Sequence, residues 1–91
     1  MNRERRTVIY RGHVQGVGFR WQTERVLAGV AVTGYVRNLA DGTVEFVVEG
    51  APAALEDALA RVSQALGHLV EEQDATTSEA TGEFRDFGIR R

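Results

Sequence analysis

Two short stretches hold the residues able to do chemistry. The first runs Gly12-His13-Val14-Gln15-Gly16-Val17-Gly18-Phe19-Arg20, after a β-type run Thr7-Val8-Ile9-Tyr10-Arg11 and before a helical pattern starting near Phe19. Three glycines in seven residues suit neither a strand nor a helix, because each carries an entropic penalty there. They suit a main chain that curls, turns successive N–H groups inward and lets a ligand come close. A concave row of amides attracts anions, and the N-terminus of the next helix adds partial positive charge at the same place. Arg20 falls in the first turn of that helix, where a cation opposes the dipole by roughly 0.3–1 kcal/mol unless an anion offsets it. The combination suits a phosphate-like dianion cradled by the loop amides and clamped by a bidentate guanidinium from Arg20. The spacing is not the dinucleotide-binding G-x-G-x-x-G. A Walker A loop is excluded too, since the chain contains no lysine.

The second stretch is Gly34-Tyr35-Val36-Arg37-Asn38-Leu39-Ala40-Asp41-Gly42-Thr43-Val44-Glu45. Taken with Val14 to Arg20, it resembles the paired signature of the acylphosphatase family, the strong part running from about Val8 to Gly50. The resemblance implies a small hydrolase of carboxyl–phosphate bonds that works without a cofactor or metal. Its substrate would be a small-molecule acyl phosphate, and its products a carboxylate and inorganic phosphate. The family's phosphate-binding arginine falls on Arg20, its water-positioning asparagine on Asn38, and its phosphate loop on Gln15 to Phe19. Such a substrate already carries a good leaving group, so the enzyme need only position water and stabilise charge on the phosphoryl oxygens. A side-chain amide offers both donor and acceptor, enough to orient a water although too weak to deprotonate it.

Each feature also has a plainer reading. Glycine-rich turns between a strand and a helix are commonly only turns. Asn38 alone is a strand-end turn residue, and Arg20 alone a surface ion-pair arginine. His13 stands beside the loop either as a base or as an exposed histidine. Trp21 and Tyr35 are assigned to packing, and Arg37 points opposite to Asn38 along its strand. Asp41, Glu45 and Glu49 are considered as metal ligands, but Glu45 and Glu49 suit a solvated sheet face better. In function, the rival is a non-catalytic anion-binding or regulatory ferredoxin-like module. An RNA-binding sheet would want aromatic and basic residues where Glu45 and Glu49 stand.

Composition narrows the class. Ninety-one residues with 43% hydrophobic and 26% charged content describe one modest globular domain, spanning 1–91. Eleven arginines against thirteen acids leave a net charge of −2, which argues against a nucleic-acid partner. No cysteine is present, so disulfides, cysteine zinc sites and thiol catalysis are excluded. No apolar run approaches the roughly 18 residues of a membrane span. The charged Met1 to Arg6 has no apolar segment behind it, so a cytoplasmic monomer with no membrane partner is expected.

The elements that must position the two stretches follow from periodicity. Thr7 to Arg11 reads as a strand. Phe19, Thr23, Val26, Leu27 and Val30 make a helical stripe stopped by Gly29. Val32 to Asn38 and Thr43 to Glu49 read as strands joined by an Asp41-Gly42 hairpin turn. Pro52 opens a second helix whose stripe is Leu55, Leu59, Val62 and Leu66, ended by Gly67. His68 to Gln73 reads as a fourth strand, Asp74 to Gly82 as a loop, and Phe84 to Arg90 as a terminal strand. The order is βαββαβ plus a short strand: an α+β, ferredoxin-like sandwich, with two helices on one face of a mostly antiparallel sheet. In that topology the first and second strands run parallel with another between them. Their carboxyl ends share one sheet edge, so Arg20 and Asn38, eighteen positions apart, converge there.

Overall fold

The computed structural model describes residues 2–91. In chain order it contains β1 (Glu4–Gly12), α1 (Phe19–Val26), β2 (Thr33–Asn38), β3 (Val44–Gly50), α2 (Pro52–Leu66), a 3-10 turn (Gly67–Leu69), β4 (Val70–Glu79) and β5 (Phe87–Arg90). The sheet runs β4-β1-β3-β2-β5. β3 lies antiparallel to both β1 and β2, so those two strands point the same way, and β5 pairs parallel with β2. This is the ferredoxin-like arrangement, and it brings the ends of β1 and β2 to one edge. Among the described residues no helix is long and apolar enough to cross a membrane.

Strand alternation sorts the side chains onto two faces. Val8 stands opposite Phe46, Tyr10 opposite Val44, Val36 opposite Phe46 and Gly34 opposite Val48. These positions face the helices and are buried with Phe19, Leu27, Leu55, Ala58, Val62 and Leu66. Of the stripe expected on the second helix, Leu55, Val62 and Leu66 are buried, while Leu59 is only partly so and Ala58 joins the core instead. Pro52 occupies its first turn, where the missing N–H costs nothing.

Several boundaries differ from the sequence reading. β1 starts at Glu4 rather than Thr7, because Glu4, Arg5 and Arg6 of the charged leader pair with both β3 and β4. β4 starts at Val70 rather than His68, which lies in the 3-10 turn. β4 does not end at Gln73 but continues to Glu79, each residue paired with β1 down to Glu4↔Glu79. Its polar, exposed composition reads as a loop, yet a long partner strand supplies a full hydrogen-bond ladder. Charged and threonine-rich residues are also what a solvent-facing edge strand carries. At the other edge, β5 begins at Phe87 rather than Phe84. Phe84 leaves the sheet plane to sit edge-on to Tyr35, beneath the guanidinium of Arg5 at 5.2 Å.

The face away from the helices is not simply wet, as Glu45 and Glu49 suggest in sequence. Glu49 is 0% exposed and Val47 2%. The segment after β4 crosses over them. Glu49 Oε2 accepts from Arg5 Nε at 2.8 Å, from the Thr81 N–H at 2.9 Å and from the Thr81 hydroxyl at 3.0 Å. Its other oxygen accepts from the Gly82 N–H at 2.9 Å. Burial alone would push this carboxyl up, but the Thr81 and Gly82 amides, Arg5 and the Thr81 hydroxyl outweigh it and hold it at about 2. A group held below its unfolded value contributes stability above that value and loses it as pH falls. The Glu49 contribution, on the order of 3 kcal/mol, should therefore be whole above about pH 5 and fade towards pH 2. Thermal melts of Glu49→Gln should show lower stability at pH 7 and a flatter dependence between pH 5 and 2. An unchanged slope would remove Glu49 from the acid response.

Candidate active site

The turn from β1 into α1 is shaped by two glycines. Gly16 has φ +77° and Gly18 φ +80°, while no residue other than glycine has positive φ among the described residues. Val17 between them is therefore of opposite hand, and this alternation aims successive N–H groups to one side. A Cβ at either glycine would meet nothing within 4 Å, so conformation rather than space calls for glycine there. The N–H groups of Gln15 to Gly18 find no acceptor among the described residues. Gly18 caps α1 without a side-chain hydrogen bond, and the first-turn amides of α1 lack intrahelical acceptors by construction.

Three anchors hold this unladdered segment. The His13 N–H donates to the Leu69 carbonyl at 2.9 Å where the loop begins. Gln15 Nε2 donates to the carbonyls of Leu39 and Thr43, both at 2.8 Å. Phe19 closes the loop by entering the core, 2% exposed, with its ring 5.2 Å from that of Tyr10. The second anchor matters twice, since Leu39 and Thr43 belong to the turn after Asn38. That turn is itself fixed: Asp41 Oδ1 accepts from the Thr43 N–H at 3.1 Å and from its hydroxyl at 2.6 Å. The hydroxyl bond is the main reason the Asp41 carboxyl lies below its usual range. Gln15 thus ties the glycine loop to the end of β2.

The loop and β2 meet at an open cleft of about 190 Å³, lined among others by Val14, Gly16, Gly18, Phe19, Arg20 and Asn38. The two expected site residues therefore face one space. Arg20 Nη1 reaches the Arg90 carbonyl at 3.3 Å, a long contact. By contrast Arg5, Arg6, Arg11, Arg37 and Arg61 each pair with a carboxylate. Asn38 Oδ1 is buried and finds no hydrogen-bond partner among the described residues. No Asp or Glu lines the cleft, although the chain carries thirteen. Nor do three or more His, Asp or Glu gather into a metal-holding group among the described residues.

The other expectations sort cleanly. The Gln15 side chain serves the β2–β3 turn, so only its main chain is free to face an anion. His13 does not line the cleft; its exposed ring lies 3.9 Å from Glu71. Arg37 and Tyr35 both bond Glu45 on the opposite sheet face, at 2.7 and 2.9 Å. Burial, then the Glu45 bond, pushes the Tyr35 hydroxyl up. Trp21, expected to pack, instead stands 56% exposed at the cleft with Ile89 and Arg91. Nothing in the pattern marks Ile89 or Arg91, because their approach depends on β5 pairing parallel to β2. Trp21 had one readable signal: it adjoins Arg20 and lies off the apolar stripe of α1.

A cleft lined by a curled glycine loop, one asparagine and two arginines, Arg20 and Arg91, lies at the carboxyl edge of the ferredoxin-like sheet of this small α+β protein. Its relatives are specific. The acylphosphatase family model matches residues 6–89. An acylphosphatase of Paenarthrobacter aurescens (strain TC1) is 46% identical over 87 residues, 93% of this chain and 92% of that one. One from Synechococcus sp. (strain JA-2-3B'a(2-13)) is 45% identical over 89 residues, 98% of this chain and 95% of that one. The crystal structure of acylphosphatase from Bacillus subtilis has a TM-score of 0.86 at 29% identity, covering 97% of this chain and 99% of that one. The chain belongs to the acylphosphatase family, hydrolases acting on the acid anhydride bond between a carboxyl and a phosphoryl group.

If the Gln15 side chain braces rather than binds, Gln15→Leu should lower stability by about 1–2 kcal/mol through its two lost bonds. Affinity for inorganic phosphate should stay within about threefold. A chemical denaturation curve and a phosphate titration check this; lost affinity with unchanged stability would make Gln15 a direct ligand.

Proposed function

We propose that residues 1–91 act as one domain that hydrolyses small acyl phosphates, with Arg20 and the loop holding the phosphoryl group and Asn38 placing the attacking water. The observation that carries this reading is the buried, unpartnered Oδ1 of Asn38, in the cleft that Arg20, Gly16 and Gly18 also line. A buried acceptor without a partner costs about 1–3 kcal/mol, which a donor in the cleft would recover. A water is such a donor. The phosphoryl oxygens, being acceptors, belong on the amides and the guanidinium instead.

In the reaction, the water oxygen attacks phosphorus as the bond from phosphorus to the acyl oxygen breaks. The electron pair leaves with the carboxylate, and the water proton passes to a phosphoryl oxygen. No side chain need accept it. Charge on the equatorial oxygens is met by fixed donors, the amides of residues 15 to 20 and the Arg20 fork, which need no reorganisation as the transition state forms. Because the fixed cation is Arg20, turnover should persist in EDTA. The loop, Arg20 and Asn38 come from one chain, so a monomer suffices, and we place it in the cytoplasm.

Inorganic phosphate should inhibit competitively and raise stability by about 2.7 kcal/mol at 100 times its dissociation constant. Arg20→Ala should weaken phosphate binding and cut turnover by roughly 10²–10³-fold. Arg20→Lys should remain impaired, since it keeps the charge without the fork. Asn38→Ala should lower kcat steeply while phosphate binding stays near wild type. Benzoyl phosphate kinetics and a phosphate titration on each variant decide the matter. Phosphate binding without turnover in the wild type would instead make this a non-catalytic anion-binding module.

A further inference from the structure

Trp21, Val17 and Ile89 are the exposed large apolar side chains among the described residues, at 56%, 50% and 36%. Exposed apolar groups scattered singly need no explanation. These are not scattered. Trp21 and Ile89 line the cleft described above, and Val17 lies between its lining residues Gly16 and Gly18. The indole is also held in place. The Arg25 guanidinium, one turn along α1, lies 5.4 Å from the centre of the Trp21 ring. Ile89 is placed independently: β5 sets it beside Val36, and the carbonyl of the next residue, Arg90, accepts from Arg20. An aromatic face from a helix and a branched aliphatic side chain from a strand therefore line the same cleft as Arg20.

With the phosphoryl group on the loop and on Arg20, the acyl group must project away from the amides, out of the cleft. The surface it meets there carries the Trp21 indole and the Ile89 side chain, with Arg91 beside them. We propose that Trp21 and Ile89 form the acyl subsite and select acyl phosphates with an aromatic or branched aliphatic acyl group over those with a short one. The inference rests on the hydrolase reading above, with Trp21 and Ile89 contributing binding that is equal in ground and transition states. It should thus act on KM more than on kcat.

The test compares benzoyl phosphate with acetyl phosphate for the wild type, Trp21→Ala, Ile89→Ala and Trp21→Phe. Trp21→Ala should lower the benzoyl-to-acetyl ratio of kcat/KM roughly tenfold, mostly through KM. Ile89→Ala should lower it in the same direction, and Trp21→Phe should restore most of the ratio. The inhibition constant of inorganic phosphate should barely move, which a general disturbance of the loop would not allow. Trp21 is also the only tryptophan in the chain, so its fluorescence reports on the subsite directly. Benzylphosphonate, an unreactive analogue, should shift its emission to shorter wavelength, whereas inorganic phosphate should not. An unchanged ratio in both alanine variants, with both substrates still hydrolysed, overturns the subsite. If the wild type hydrolyses neither substrate, the hydrolase reading fails instead. The benzylphosphonate response then decides the subsite alone: a shift supports it and none overturns it.

Discussion

The N–H groups of Gln15 to Gly18 make no hydrogen bond to an acceptor among the described residues, and the surrounding structure is arranged to hold them so. Backbone donors withheld from a ladder give up stability that every neighbouring strand residue gains. The loop bears this because Gly16, Val17 and Gly18 are exposed, so their amides are not stranded in the core. It also bears it because its ends are fixed by other means: the Leu69 carbonyl at the start and the Phe19 ring packed on Tyr10 at the finish. Phe19 does two things at once. By entering the core it sets the rotation of α1, and the next residue, about 100° further round, is turned toward the cleft. That residue is Arg20.

The opposite face of the sheet reaches the same cleft by a different route. Glu49 gathers the amides of Thr81 and Gly82, and so fixes where the chain re-enters the sheet as β5. β5 is only four residues long and pairs with β2 alone. Its hold is reinforced on the open face, where Arg90 stacks 4.0 Å from the centre of the Tyr35 ring and Arg5 covers Phe84. From β5 come Ile89 at the cleft and the Arg90 carbonyl against Arg20. A buried carboxylate with four donors is thus an element of positioning as well as of stability. Removing one of its partners would leave a charge uncompensated in a dry place.

What the sequence made legible, and what it did not, divides along the range of the interactions. Gly16, Gly18, Pro52 and the Leu55–Leu66 stripe act through local backbone chemistry or helical period, and they appear where the sequence reading puts them. The placing of Arg20 and Asn38 at one edge also follows, because parallel β1 and β2 are fixed by element order. Glu49 misleads for the opposite reason. Its alternation marks the outer face correctly, but what covers that face lies 32 residues further on. β4 misleads likewise, since its polarity is read locally while its ladder is supplied by β1. Ile89 and Arg91 are not legible as site residues because their approach to the cleft depends on how the last strand docks, whereas Trp21 shows only through its place beside Arg20 and off the apolar stripe of α1.

The cleft sorts its contents by the polarity of its donors and acceptors rather than by net charge. The chain as a whole is slightly negative, so at long range it repels a dianion weakly, and salt screens even that beyond a Debye length of about 10 Å. Within the cleft the balance reverses, because none of its lining residues is acidic. The loop amides and the guanidinium only donate, which suits phosphoryl oxygens and repels nothing they carry. The Asn38 Oδ1 accepts, and an acceptor set beside phosphoryl oxygens would repel them while welcoming a water's hydrogens. A glutamate there would orient water more strongly, but its charge would compete with the substrate for Arg20. In the proposed reaction a neutral amide would direct the water without weakening the grip on the anion. For a substrate whose leaving group needs no proton, that is the more useful compromise.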